Sequence, residues 1–182
     1  LPIYVDGNGE INDLDRTVIG NPSPDCIFGF NNTFSYKNFD LSIFFQGALG
    51  NQVWNGARAS HESMNSTYNQ LASTLERWTG EGTSSSMPRA IYADPNNNSR
   101  ASTRWLENGS YAKLKNLTFG YTLPENWTNR AKVKALRLYV SFDNLCTITN
   151  YSGLDPEVGL SGLDYGVYPS ARTYMFGVSV KF

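Results

Sequence analysis

The sequence has one histidine and two cysteines, no apolar run long enough for a membrane helix, and no cluster of basic charge. Each shortage removes a class of protein. Without about 20 consecutive apolar residues the chain does not cross a bilayer as a helix, but the alternating strands of a barrel stay open. Fifteen basic against 16 acidic residues leave a formal net charge of −1 and no electrostatic footprint for nucleic acid. Cys26 and Cys146 are too few and too far apart for a disulfide framework or a zinc site. Each stands where an alternating pattern wants an apolar residue, so both read as buried or lipid-facing hydrophobes, with a disulfide or reactive thiol as the alternative. Leu1-Pro2-Ile3-Tyr4 has neither an initiator Met nor a signal-peptide layout, so the chain reads as an excised piece.

What is present is aromatic and alternating. With 11 Tyr and 10 Phe, only 17% charged residues and abundant Gly and Asn, the chain reads as all-β. In residues 173–182, Tyr174, Phe176, Val178, Val180 and Phe182 share one face and Met175, Gly177, Ser179 and Lys181 the other. Residues 136–143, 117–123, 39–46 and 28–36 alternate in the same way, which gives five strands. Ala112 and Leu114 lie on the wrong parity to continue into Leu117, so a β-bulge is expected near Lys115-Asn116.

The connections separate the possible architectures. Lys37-Asn38 makes a tight hairpin, 47–104 a very long loop, 124–134 a short connection and 144–170 a long one. Alternating short and long connections belong to transmembrane barrels, with short periplasmic turns and long extracellular loops. The polar faces carry Asp40, Gln46, Arg137, Asp143 and Lys181, which suit a wet lumen. Five strands cannot close, so they would form an arc of a larger barrel. The expected lipid-facing belt is Phe28, Phe30, Leu41, Ile43, Phe119, Leu138, Val140, Phe176 and Val178. The alternative is a secreted β-sandwich carbohydrate-binding module, in which those residues would be buried between two sheets.

Several stretches together resemble one family. They are Asp15-Arg16-Thr17 with Gly20-Asn21-Pro22-Ser23-Pro24-Asp25, Gly29-Phe30, Ser35-Tyr36-Lys37-Asn38-Phe39-Asp40-Leu41-Ser42 and Asn108-Gly109-Ser110-Tyr111 on to Leu123-Pro124. Further on come Asp143-Asn144-Leu145, Tyr151-Ser152-Gly153-Leu154-Asp155-Pro156-Glu157-Val158 and Tyr168-Pro169. In this order and spacing they resemble the C-terminal end of SusC/RagA-type TonB-dependent receptors, the outer-membrane nutrient importers of Bacteroidetes. The resemblance implies the last five or so antiparallel strands of a 22-stranded transmembrane barrel. Residues 1–24 would be an extracellular loop segment and 25–182 barrel, with long extracellular loops at about 47–104 and 144–170.

As partners the resemblance implies a SusD-like surface lipoprotein, TonB acting through an N-terminal part outside this chain, the remaining barrel and plug, outer-membrane lipid, and a glycan or peptide substrate. It implies no catalysis and no required cofactor. Phe182, an aromatic at the end of an alternating strand, resembles the signal read by barrel-assembly machinery. Cys26 and Cys146 depart from the family's usual aromatics, and Asn108 and Lys113 from its usual acid and Arg.

Among candidate sites, residues 6–15 place Asp6, Asn8, Asn12 and Asp15 at spacings that suit a calcium loop. The stretch is shorter than family versions and lacks a bidentate Glu, so a solvated turn-rich loop is expected, with calcium as the alternative. Trp54, Tyr68, Trp78 and Tyr92, set among Asn and Ser in the first long loop, are the candidate contacts for substrate or lipoprotein. Local packing is the competing role, with Leu71, Leu75 and Trp78 on one face of a short helix from Asn65 to Gly80. His61, between Ser60 and Glu62, reads as a surface histidine, since adjacent positions do not make a triad. Asp155 and Glu157 read as structural or lid-contacting carboxylates, not as an acid and base pair.

Overall fold

A computed structural model describes residues 7–9, 12–84, 86–129 and 132–182. Its strands are β1 (Cys26–Tyr36), β2 (Phe39–Leu49), β3 (Gln52–Asn55), β4 (Leu106–Asn108), β5 (Tyr111–Thr122), β6 (Ala135–Thr149), β7 (Leu163–Asp164) and β8 (Thr173–Lys181). Among the described residues, two short helices, α1 (Gly56–His61) and α2 (Glu125–Thr128), accompany these strands, together with 3-10 turns. The five long strands form one antiparallel sheet in the order β1-β2-β5-β6-β8, and β4-β3-β7 form a second, small sheet.

Pairing register places the apolar positions on one side of the large sheet. Phe30 opposes Phe45 and Phe34 opposes Leu41. Leu41 opposes Phe119, Phe119 opposes Val140, and Val140 opposes Phe176. Because side chains alternate, these rows run unbroken across all five strands. Among the described residues nothing covers that side: Phe30 is 59% exposed and Phe176 71%. A sandwich needs a second sheet here, and the small sheet is built from the loops instead.

The bulge falls where the parity break put it. Register shifts between Leu114 and Asn116, leaving Lys115 unpaired, while β6 takes up Asn144 and Leu145, with Asn144 at φ 52°. Past the bulge Leu114 faces the apolar side with Cys146, and Cys26 shares the apolar parity of Phe28 and Phe30. Both cysteines are free thiols. Because pairing continues beyond the irregularity, β2 runs to Leu49 and β6 to Thr149, farther than simple alternation indicated.

The polar side is tied together by charge and close approach. Arg137 Nε donates to Asp40 Oδ1 at 2.8 Å and Nη2 to Oδ2 at 2.5 Å, although β5 lies between the strands that carry them. The crossing is open because the intervening residue is Gly120, where a Cβ would lie 2.5 Å from both Asp40 Oδ1 and Arg137 Nη2. Tyr139 lies over Gly177 in the same way, with the Arg137 guanidinium 5.0 Å from the Tyr139 ring centre.

The dry centre of the chain is elsewhere. Trp105, Val53, Asn55 and Asp164 are the largest fully buried side chains, and all four belong to the folded loops. The helix expected from Asn65 to Gly80 is replaced by bends and one 3-10 turn, Ala72–Glu76, with Leu75 77% exposed. Thr74 Oγ1 donates back to the Leu71 carbonyl at 2.8 Å, and no packed face compensates for helix nucleation in so short a segment.

Candidate functional site

The loops fold into a small assembly joined to β2, β5 and β6. Asn55 ends β3 and caps α1, its Oδ1 accepting from Arg58 N at 2.9 Å. Its Nδ2 donates to Glu107 Oε1 and Ser152 Oγ, both at 3.2 Å. Arg58 then bridges two carboxylates, Glu62 at 3.0 Å and Glu107 at 2.8 Å. Burial pushes Glu107 up, but hydrogen bonds from Arg58, Ser152 and Asn55 prevail and hold its carboxyl below the usual range. Asp164 is held low in the same way, with burial outweighed by bonds from Tyr151 at 2.6 Å and from the amides of Val167 and Gly166.

A second cluster straps the later loop to the polar side of the sheet. Lys113 Nζ reaches Asp155 Oδ1 at 2.6 Å and Glu157 Oε2 at 2.8 Å, and Lys115 Nζ reaches the same Glu157 oxygen at 3.0 Å. Gln46 Nε2 donates to the other Glu157 oxygen at 3.0 Å. Asp155 and Glu157 are therefore anchors, the structural role expected of them.

Among the cavities that open between the described loops, two are bordered by this assembly. The smaller, about 330 Å³, is lined by Gln52, Trp54, Leu106, Leu163 and Tyr165 among others. Trp54 meets Tyr165 edge-on at 5.7 Å, and its buried indole nitrogen has no partner among the described residues. The larger, about 800 Å³, is bordered by Arg58, His61, Met87, Arg104, Leu154 and Tyr165.

The four candidate aromatics do not converge. Trp54 is wedged into the small sheet, Tyr68 and Tyr92 stand exposed, and Trp78 is partly covered, its amide bonded to the Met87 carbonyl at 3.1 Å. No ring contact joins any two of them among the described residues. His61 Nδ1 lies 2.7 Å from the Ala57 carbonyl, one turn back in its own helix, and so serves as a local donor. In the candidate calcium loop, Asp6 lies outside the described residues. Asn12 and Asp15 form a capping box, Asn12 Oδ1 accepting from Leu14 N at 2.8 Å and Asp15 Oδ2 from Asn12 N at 2.9 Å. Sequence reading missed Arg58, Arg104, Trp105 and Tyr165. The available signal was Arg104-Trp105 immediately before a strand, which places a cation beside a large buried ring.

No family model matches the sequence. Among curated proteins, the TonB-dependent receptor P3 of Formosa agariphila is 40% identical over 189 residues, covering 98% of this chain and 18% of the relative. SusC of Bacteroides thetaiotaomicron is 30% identical, covering 99% of this chain and 17% of the relative. The RagAB peptide transporter superposes with a TM-score of 0.83 at 26% identity, covering 95% of this chain and 19% of that one. The chain belongs to the SusC/RagA-type TonB-dependent receptors. It spans about a fifth of the length of the relatives it matches.

As part of a TonB-dependent receptor, the large sheet is an arc of an outer-membrane barrel wall. The bare apolar side then faces lipid, and the side carrying Asp40, Arg137 and the lysine cluster faces inward. The secreted sandwich is excluded, and the loop assembly becomes the part of this segment that carries the cavities.

Proposed function

We propose that this segment is the C-terminal wall of a receptor that imports a glycan or peptide across the outer membrane without chemically altering it. The observation that carries the reading is the sidedness of the sheet: apolar rows run unbroken on one face, while charged crossings and strapped loops occupy the other. In this reading the tight hairpin at Lys37-Asn38 and the connection holding α2 lie at the periplasmic rim. The assembly around Trp105 lies outside, under a SusD-like lipoprotein. Energy reaches the barrel through TonB and a part of the receptor outside this chain. No cofactor is required.

Gene deletion in the source bacterium tests it. Loss of growth on one glycan or peptide mixture, restored by the receptor gene only when TonB is functional, is the expected result. A parent protein that stays soluble without detergent, or growth unaffected on every polymer tried, would overturn the reading. Affinity purification of the receptor should bring down a surface lipoprotein. Phe182, 81% exposed beyond β8, is assigned to assembly. Phe182→Ala should lower the amount of folded receptor without slowing transport per folded molecule, and unchanged membrane levels would refute that role.

A further inference from the structure

Arg104 is a cation of the loop assembly whose guanidinium makes no hydrogen bond to an oxygen among the described residues. It is half-buried on the wall of the larger cavity. Its guanidinium lies 4.4 Å from the Trp105 ring centre, and its Nη2 donates to Met87 Sδ at 2.9 Å. A thioether is a weak acceptor, so the remaining N–H groups have no oxygen partner among the described residues. The neighbouring carboxylates are already occupied. Both Glu62 oxygens are taken, one by Arg58 at 3.0 Å and the other by Ser73 at 2.6 Å. Glu107 is held by Arg58, Ser152 and Asn55. Asp94 is turned to Ser99 and to the Asn98 amide.

A half-buried guanidinium whose hydrogen-bond acceptor among the described residues is a thioether keeps N–H groups free to bind an oxyanion. Stacking on Trp105 fixes the plane of the group before any ligand arrives, so little side-chain entropy is lost when an anion docks. Burial draws Arg104 below its ordinary value, yet an arginine keeps its proton at neutral pH. Ser86, the His61 ring and Tyr165 border the same space, as does Glu62, whose oxygens are already engaged by Arg58 and Ser73. A short oligomeric solute could use the first three for its neutral groups.

We propose that the cavity beside Arg104 binds a carboxylate carried by the transported solute, with Arg104 as the anion-binding residue and Trp105 as the support that orients it. The assignment rests on the importer reading above and deepens it by giving the solute an acidic group. The carboxylate could belong to an acidic sugar or to an acidic peptide, and the two sources are separated by probe.

The experiment uses the whole receptor, extracted in detergent with its companion lipoprotein. Equilibrium binding is measured for trigalacturonate against its methyl ester, and for triglutamate against triglutamine. One acid should bind better than its neutral counterpart, and that acid identifies the source. Arg104→Gln should weaken acid binding about tenfold or more while leaving the neutral probe unchanged. Arg104→Lys should retain part of the preference. Leu154→Trp, which narrows the cavity at an exposed position without altering the cation, should weaken the same acid, and this arm remains informative if Arg104→Gln folds poorly.

No preference for either acid in the wild type, or equal acid binding by wild type, Arg104→Gln and Leu154→Trp, would overturn the site. Failure of the importer reading would appear earlier, as a parent that does not extract from membranes as a heat-modifiable barrel.

Discussion

Lys113 and Asp155, 42 residues apart in sequence, meet at 2.6 Å on the polar side of the sheet, with the lysine side chain only 3% exposed. The pair turns the loop after β6 back onto β5. Glu157, shared by Lys113, Lys115 and Gln46, closes the strap. An ammonium this enclosed is tolerable only because two carboxylates surround it.

Removing the ammonium should therefore strip Asp155 of its cation, while Glu157 keeps Lys115 and Gln46. Lys113→Met is expected to destabilise the strapped loop by about 3–5 kcal/mol, because one partner of a buried pair is lost. Lys113→Arg should cost much less. Hydrogen exchange of residues 150–158 in the intact receptor reads the difference, and equal protection in wild type and Lys113→Met would refute the strap.

The same cluster sets a pH window. Burial raises Asp155 and Glu157, but hydrogen bonds and charge from the lysines outweigh it, so both titrate below their ordinary values of 3.8 and 4.5. With lowered folded-state values, the stabilisation is complete above those ordinary values and drains away as pH falls through the lowered ones. Loop protection should hold between pH 6 and 8 on an exchange-rate-corrected scale and collapse only in strong acid. Loss near neutrality would contradict the assignment.

Sidedness of the wall can be tested with one charge placed on either face. Val140, between Phe119 and Phe176 in the apolar rows, should cost about 2–4 kcal/mol as Val140→Arg if it lies near the bilayer midplane. Thr33→Arg, on the opposite face of β1, should cost little. Urea unfolding of the whole receptor in liposomes gives both numbers, and equal penalties would mean that the faces are wrongly assigned.

Gly120 and the pair above it should be coupled. Gly120→Ala pushes against the far ends of two flexible side chains, so its cost should be about that of an exposed ion pair, on the order of 1 kcal/mol, rather than that of a backbone clash. In an Arg137→Met background the same change should cost less, and a double-mutant cycle measures the difference. Additive effects would show that the crossing does not depend on the glycine.

Calcium should leave the N-terminal loop unaffected. Asn12 Oδ1 and Asp15 Oδ2 already accept backbone amides, so an ion would have to displace those bonds. Thermal unfolding with calcium and with chelator should coincide. A chelator-sensitive rise in melting temperature would restore the metal reading for Asp6, Asn8, Asn12 and Asp15.

The wall was readable in the sequence because each of its strands carries its own alternation: Leu136, Leu138, Val140 and Phe142 name their face without reference to any partner. Even the bulge announced itself, as Leu114 and Leu117 are out of phase. The loop assembly was not legible, because its order comes from meetings between distant residues. Asn55 finds Glu107 and Ser152, and Tyr151 finds Asp164, with no local period to mark them. Aromatic residues in a polar loop suggested Tyr68 and Tyr92 as contacts. The ring that organises the loops, Trp105, sits just past the 47–104 stretch read as a loop, immediately before β4.

Burying Trp105, Val53, Asn55 and Asp164 in the loops divides the chain into two regimes of tolerance. Along the wall, an outward residue has only to be greasy and of fitting width, so substitutions there can accumulate one at a time. In the loops, a new solute specificity needs several interlocked positions to change together, and lineages should differ there by replacing whole blocks rather than by gradual drift.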